Sequence, residues 1–197
     1  MFSELRLGKG VVLCADTPGF LANRVGVFAI QCALHNAFDL GLAPGEADAF
    51  FGRPLGFPKT GVFGLYDLIG IDLMADVVKS LVNILPANDA FHQYSAPIDF
   101  MTNMIANGQT GNKNNKGFYR DAGEERQVIS LVNGDYVPYE RLRVPLLEEA
   151  EQEGISTLLN DNGPFGLYAW RVLSETLCYA ASLVPEVTED LTQIDDA

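Results

Sequence analysis

The sequence predicts a mainly all-α fold with a small β-hairpin and a partial second helical repeat. Three observations carry this expectation. Residues 18–40 form a long, nearly all-apolar stretch between a helix start signal, Thr17-Pro18, and a stop signal, Gly41. Asn133-Gly134 lies between two β-prone runs, which is the short-range mark of a hairpin. From residue 160 onward the pattern of the first long helix returns 147 positions later, as Arg24 and Arg171 illustrate.

Taken in order, residues 11–15 (VVLCA) are short, apolar and partly β-branched, and read as a strand. No convincing partner strand follows in the next hundred residues. Thr17 is placed as N-cap with Pro18 at the first helical position. The helix they open carries apolar residues on most of its circumference, which marks a buried helix. Pro44 opens a shorter helix, and the two prolines and the glycine within 53–60 require a loop. Helices are expected over 62–69, over 73–85 with Asp72 as its cap, and over 98–106. The polar stretch 108–116 (GQTGNKNNK) reads as a loop. Next comes the hairpin, 127–132 and 135–139 around a type I′ Asn-Gly turn, and then an exposed acidic helix over 140–153. A second apolar helix, 167–184, follows the Asn- and Gly-bearing loop 160–164.

Charge divides the chain. Residues 1–120 carry nine Lys/Arg against ten Asp/Glu, whereas residues 121–197 carry four against sixteen, for a net of −13 overall. Such a field repels phosphate polymers and anionic bilayers, which argues against nucleic acid or a membrane surface as partner. No apolar run reaches the ~20 residues of a bilayer span, and MFSELRLGKG lacks the apolar core of a secretion signal. Cys14, Cys32 and Cys178 are odd in number and show no C-x-x-C spacing, which fits a reducing, cytoplasmic setting. Cys32 and Cys178 fall in apolar helical stretches and are expected to be buried thiols. The repeat register also aligns Asp48 with Asp195, Gly19 with Gly166, Val25 with Val172 and Ala33 with Ala180.

The segment Asp16-Thr17-Pro18-Gly19-Phe20-Leu21-Ala22-Asn23-Arg24 closely resembles the D-T/C-P-G-F-x-x-N-R junction of the 3-hydroxyacyl-CoA dehydrogenases. Leu7-Gly8-Lys9, the stretch from Gly52-Arg53-Pro54-Leu55-Gly56 to Gly70-Ile71-Asp72, and Lys113 to Tyr119 (KNNKGFY) resemble further segments of that family in the same order. Two departures stand out: Asn115 replaces the first glycine of K-x-G-x-G-F-Y, and Gly61-Val62-Phe63 replaces Gly-Pro-Phe, preceded by the insertion Phe57-Pro58-Lys59-Thr60. The resemblance implies a helical domain like the C-terminal domain of 6-phosphogluconate dehydrogenase. Residues 1–16 would end an NAD-binding domain and its linker. Residues 17–120 would form the helical domain, 121–160 a hairpin and acidic linker helix, and 161–197 a truncated second copy.

The resemblance also implies chemistry: oxidation of a (3S)-3-hydroxyacyl-CoA to the 3-ketoacyl-CoA in fatty-acid β-oxidation, with NAD as oxidant. The catalytic His–Glu pair of the family belongs to the absent domain, and no G-x-G-x-x-G follows a strand here. NAD is therefore expected in the full-length enzyme and not on this fragment. The expected partners are the acyl-CoA substrate, the fragment's own missing Rossmann domain and a second copy in a homodimer. Asn23 is the residue the resemblance places at the substrate. Its own chemistry allows that, since an amide in an apolar helix needs a partner and can donate to a substrate oxygen without changing charge. The alternative is an amide bonded to local backbone near the helix start.

Arg24 is expected in a structural ion pair, a view its counterpart Arg171 supports. Asp67 and Asp72 read as capping or turn residues, and Lys113 and Lys116 as solvated, with CoA phosphates as the lesser alternative. His35 and His92 sit in no catalytic motif. The rival reading is a helical interaction module with no chemistry of its own.

Overall fold

The computed structural model describes residues 12–189 and 192–195. Helix α1 (Phe20–Asp39) is the axis of the fold, burying Leu21, Phe28, Cys32, Ala33 and Leu34 on several sides. It starts later than the sequence predicts. Gly19 (φ +79°) is the N-cap and Thr17 lies outside the helix, its backbone oxygen accepting from Phe20 N at 3.0 Å. The left-handed turn at Gly19 separates Thr17-Pro18 from the first helical residue, so neither takes its expected cap or N1 place. The strand expected over 11–15 is likewise corrected. Residue 11 lies outside the described residues, and 12–15 are irregular, with Ala15 N donating to the Val187 oxygen at 2.8 Å and Leu13 N to Gln193 Oε1 at 3.1 Å. An apolar run with no strand to pair with cannot make a ladder.

Helix α2 (Pro44–Phe51) begins at a proline, and Glu46 accepts from Ala43 N at 2.8 Å. A short 3-10 turn, Arg53–Leu55, leads to α3 (Val62–Ile69) and, across Gly70, to α4 (Ile71–Ile84). Asp72 lies inside the first turn of α4 rather than capping it, because Gly70 is the N-cap. Helix α5 (Asp99–Ala106) follows the 3-10 turn Ala90–Tyr94.

The sheet has one strand more than the hairpin expected. Strand β1 (Tyr119–Ala122) pairs antiparallel with β2 (Glu125–Ile129), which pairs with β3 (Tyr136–Pro138). Gly123 (φ +73°) and Glu124 make the tight first turn. The Asn133-Gly134 connection is not type I′. Gly134 alone is left-handed, and residues 130–135 form a wider loop closed by Ser130 N to the Asp135 oxygen at 2.8 Å. The acidic helix α6 (Pro145–Glu153) begins at its proline, and 140–144, expected to be helical, lie outside it. Helix α7 (Ile155–Leu159) leads to the long helix α8 (Pro164–Ser182), and α9 (Thr192–Asp195) closes the described chain.

Helix α8 packs along α1. Phe28 stacks on Tyr179 with centroids 4.0 Å apart, and Phe50 on Phe165 at 4.5 Å. Two ion pairs link the long helices and their ends: Arg24 of α1 reaches Glu186 in the turn after α8, and Arg171 of α8 reaches Asp39 in the last turn of α1. Both ends of these pairs, Arg24 with Arg171 and Asp39 with Glu186, stand 147 residues apart. The register read from the sequence is thus also a pairing in space. Of the thiols, Cys32 is buried as expected. Cys178 is exposed, which corrects its expected burial: it lies on the side of α8 away from the core.

Candidate functional site

Arg24 turns inward. Its side chain is 1% exposed, and it bonds Asp89, Glu186 Oε1 at 3.0 Å and the Tyr179 hydroxyl at 3.2 Å. This is the structural ion pair expected. Asn23, one residue earlier, points elsewhere and is exposed, as is Phe20 three residues before it on the same helix face. The expectation of a buried Asn23 amide is therefore corrected: among the described residues this face of α1 has no cover, so the amide is free to meet a ligand or solvent. Phe20 holds a left-handed conformation (φ +51°) that its ring makes costly.

Two carboxylates hold α2, α3 and β1 together, and the sequence marks Asp67 only as a capping or turn residue and Asp48 only as a match to Asp195. Asp67 is buried and accepts from Phe118 N at 2.8 Å and Tyr119 N at 2.7 Å, so it clamps the start of β1 to α3. Its cap is long-range, not the local turn expected. Gly117 must be glycine for this approach, since a Cβ there would lie 2.1 Å from Asp67 Oδ1. Asp48 accepts from Phe63 N at 2.7 Å, Gly64 N at 3.0 Å and the Tyr119 hydroxyl at 2.8 Å, and so caps α3 from α2. Burial pushes Asp48 up to about 7 against those three donors. Burial likewise lifts Asp67 to about 6, against its two backbone donors and the positive charge of Arg126.

The loop 108–116 is ordered by its own polar groups. Asn115 takes φ +52°, the left-handed backbone that explains a glycine at this position in the resemblance and that asparagine tolerates. Lys113 bonds Asp72 at 2.6 and 2.7 Å, which holds that carboxyl below its ordinary range, so Lys113 is a pairing residue and not merely solvated. Lys116 is exposed, as expected. His92 Nε2 lies 2.9 Å from the Pro86 oxygen. His35 lines an apolar groove of about 550 Å³ with Leu34, Val78 and Met101, and burial lowers its pKa. A larger cleft of about 840 Å³ opens over Asp48 and Asp67 between α2, α3, β2 and α6. Among the described residues, no three His, Cys, Asp or Glu side chains stand close enough to hold a metal ion. No described helix is long and apolar enough to cross a membrane.

A family model described as 3-hydroxyacyl-CoA dehydrogenase, C-terminal domain, matches residues 19–121, just over half the chain. A Rickettsia prowazekii protein named for a fatty acid oxidation complex trifunctional enzyme is 35% identical over 99% of this chain and 27% of its own length. A Bacillus subtilis protein named as a probable 3-hydroxyacyl-CoA dehydrogenase is 31% identical over 100% of this chain and 25% of its own. The mouse protein named mitochondrial hydroxyacyl-coenzyme A dehydrogenase is 33% identical over 58% of this chain and 35% of its own. The chain thus spans about a quarter of the length of these two bacterial relatives. The matched region holds the Asn23 face, the buried Arg24 and both carboxylate clamps, and on this match the chain belongs to the family of the 3-hydroxyacyl-CoA dehydrogenase C-terminal domain.

Proposed function

We propose that the chain is the substrate-side helical part of an NAD-dependent (3S)-3-hydroxyacyl-CoA dehydrogenase of fatty-acid oxidation, with a fold like the C-terminal domain of 6-phosphogluconate dehydrogenase. The observation that carries this is the family match over residues 19–121, which includes Asn23 on an open face of α1. The proposed organisation is a linker end over 1–16, the helical domain over 17–120, a hairpin and acidic linker over 121–160, and a partial second copy over 161–197. The names of the relatives support the acyl-CoA substrate and the oxidative pathway.

NAD does not fit the described residues. A dinucleotide cradle needs a parallel strand feeding a glycine-rich turn and a helix, and the strands here form an antiparallel sheet. No step of hydride transfer is therefore assigned to these side chains. Asn23 acts by orientation, donating from its amide to the oxygen of the bound hydroxyacyl group. The partial second copy exposes Leu167, Trp170 and Leu177 on α8, which supports self-association as a homodimer. The free cysteines support a reducing, cytoplasmic setting.

The test is Asn23→Ala in the full-length enzyme. Loss of one hydrogen bond that strengthens in the transition state is worth about 1.5–3 kcal/mol, a fall of roughly ten- to a hundredfold in kcat/KM. The melting temperature is expected to stay unchanged. A destabilised protein with normal kcat/KM per folded molecule would remove Asn23 from the substrate site.

A further inference from the structure

Thirteen Lys and Arg residues are spread through a chain of net charge −13, yet five of them line one cleft: Arg53, Lys59, Arg126, Arg141 and Arg143. They arrive from separate places, the turn after α2, the insertion before α3, strand β2 and the irregular segment before α6. All five are exposed, and among the described residues none forms an ion pair. That sets them apart from Arg24, Lys113 and Arg171, which are each held by a carboxylate. Arg126 is the most fixed of the five, its guanidinium carbon 4.7 Å from the Tyr119 ring centre and 5.5 Å from that of Tyr139.

Four acids share the cleft, and their placement matters. Asp48 and Asp67 are already committed to backbone N–H groups and the Tyr119 hydroxyl. Glu148 and Glu151 line the cleft from α6 without pairing to any of the five cations. Five unpaired cations around an opening of about 840 Å³ repel one another. The opening itself is of the size that small-molecule sites use. Against the four carboxylates the five cations leave a net of only one positive charge when all are ionised, so placement rather than net charge selects the ligand. A monovalent anion meets one cation, whereas a ligand with two or more phosphates offers oxygens in several directions and meets several of them at once.

We propose that this cleft is a binding site for a small molecule carrying at least two phosphate groups. The proposal does not depend on Asn23 or on the dehydrogenase reading, since it stands on charge placement alone. The shared chemistry has two sources. One is the phosphorylated nucleotide end of a thioester substrate, and the other is a free nucleotide or pyrophosphate acting from outside the reaction.

The chain is titrated by calorimetry with pyrophosphate, ATP and adenosine 3′,5′-bisphosphate. Saturable binding that weakens about tenfold or more between low and physiological salt is expected for at least one probe. The double variant Arg141→Gln/Arg143→Gln is expected to lose affinity about tenfold or more, with its circular dichroism unchanged because both side chains are exposed. Lys79→Gln, outside the cleft, is expected to bind as the parent does. Preference for the 3′,5′-bisphosphate supports the site and points to the substrate's nucleotide end. Comparable binding of all three probes supports it and points to free phosphates. No saturable binding of any probe up to about 10 mM, the weak end of specific affinity, overturns the proposal. So does an unchanged affinity in the double variant, or an equal loss in Lys79→Gln.

Discussion

Helices α1 and α8 repeat one pattern, and they differ most where the pattern is the same. Arg24 and Arg171 occupy matching positions, and each reaches a carboxylate of the other half, Glu186 and Asp39. Yet Arg24 is 1% exposed and gains a buried second carboxylate, Asp89, while Arg171 is 35% exposed and meets Asp39 at 67% exposure. Asn23 and Trp170 also match in register. The first is a polar side chain and the second an indole, and both are exposed. The difference teaches that the repeat preserves the packing of one helix on the other while the outward faces have separated in chemistry. The inner face acts as scaffold in both, and an amide suited to binding is left only on α1.

The largest expected effect breaks that symmetry at the arginines. Arg24→Ala leaves Asp89 buried and unpaired, and a loss of about 3–5 kcal/mol in unfolding free energy is expected. Arg171→Ala removes a mostly solvated pair and is expected to cost about 0–1 kcal/mol. Urea denaturation of both variants measures the gap. Equal losses would mean that the two halves share one energetic role and that the burial difference carries no weight.

This asymmetry was only partly legible in the sequence. The bounds of α3 and the proline start of α2 follow from local signals, because each depends on a few neighbouring residues, whereas Pro164 was read into the loop 160–164 and α8 starts there, three residues before the expected 167. The long helices were legible as helices but not by face. When apolar residues run nearly all round, a 3.6-residue period does not say which side is covered. That is why Cys178 was expected inside and why Asn23 was expected to be a buried amide. The carboxylate clamps were invisible for a different reason. Asp67 holds backbone groups fifty-one and fifty-two residues away, and Asp48 holds Phe63 and Gly64 across a loop. No spacing rule predicts such a partner. Strand β1, reading Tyr-Arg-Asp-Ala, has no alternation to announce it, and it forms because Asp67 fixes its first backbone amide and β2 lies alongside.

The second effect sharpens the comparison with pH, since the clamps of Asp48 and Asp67 bond α3 and β1 and not α8. Folding raises the pKa of Asp48 to about 7 and of Asp67 to about 6, against about 3.9 in an unfolded chain. The folded state therefore binds protons that the unfolded state does not. The stabilisation is complete below the unfolded value and is lost as pH rises through the folded ones. His35, whose pKa burial lowers, works in the opposite sense as pH falls below about 6.5. The net expectation is a gain of about 1 kcal/mol in stability from pH 8 to pH 6. Carboxyl-carbon NMR is expected to place the Asp48 midpoint near 7, with amide shifts moving at Phe63, Gly64 and Tyr119 and not along α8. A protein that loses stability over that range, or an Asp48 midpoint near 4 as in an unfolded chain, would show that the clamps are not strained by burial.

The smallest expected effect is the most telling for function. Asn23 is exposed, and its neighbour Phe20 shares its open face, so Asn23→Ala removes no packing and no described hydrogen bond. Alanine is also the better helix former, which adds a few tenths of a kcal/mol in its favour. The stability of this chain is therefore expected to shift by less than about 0.5 kcal/mol. Trp170→Ala at the matching position of α8 is expected to shift it by a similarly small amount, because the indole is 54% exposed. The two variants thus resemble each other in folding, and on the role proposed for Asn23 only Asn23→Ala is expected to lower turnover in the full-length enzyme. Paired urea denaturation of this chain decides the first half of that statement. A loss above about 1 kcal/mol for Asn23→Ala, well outside the range for exposed positions, would make Asn23 a helix-start residue with a structural bond. The asymmetry between the two outward faces would then rest on Trp170 alone.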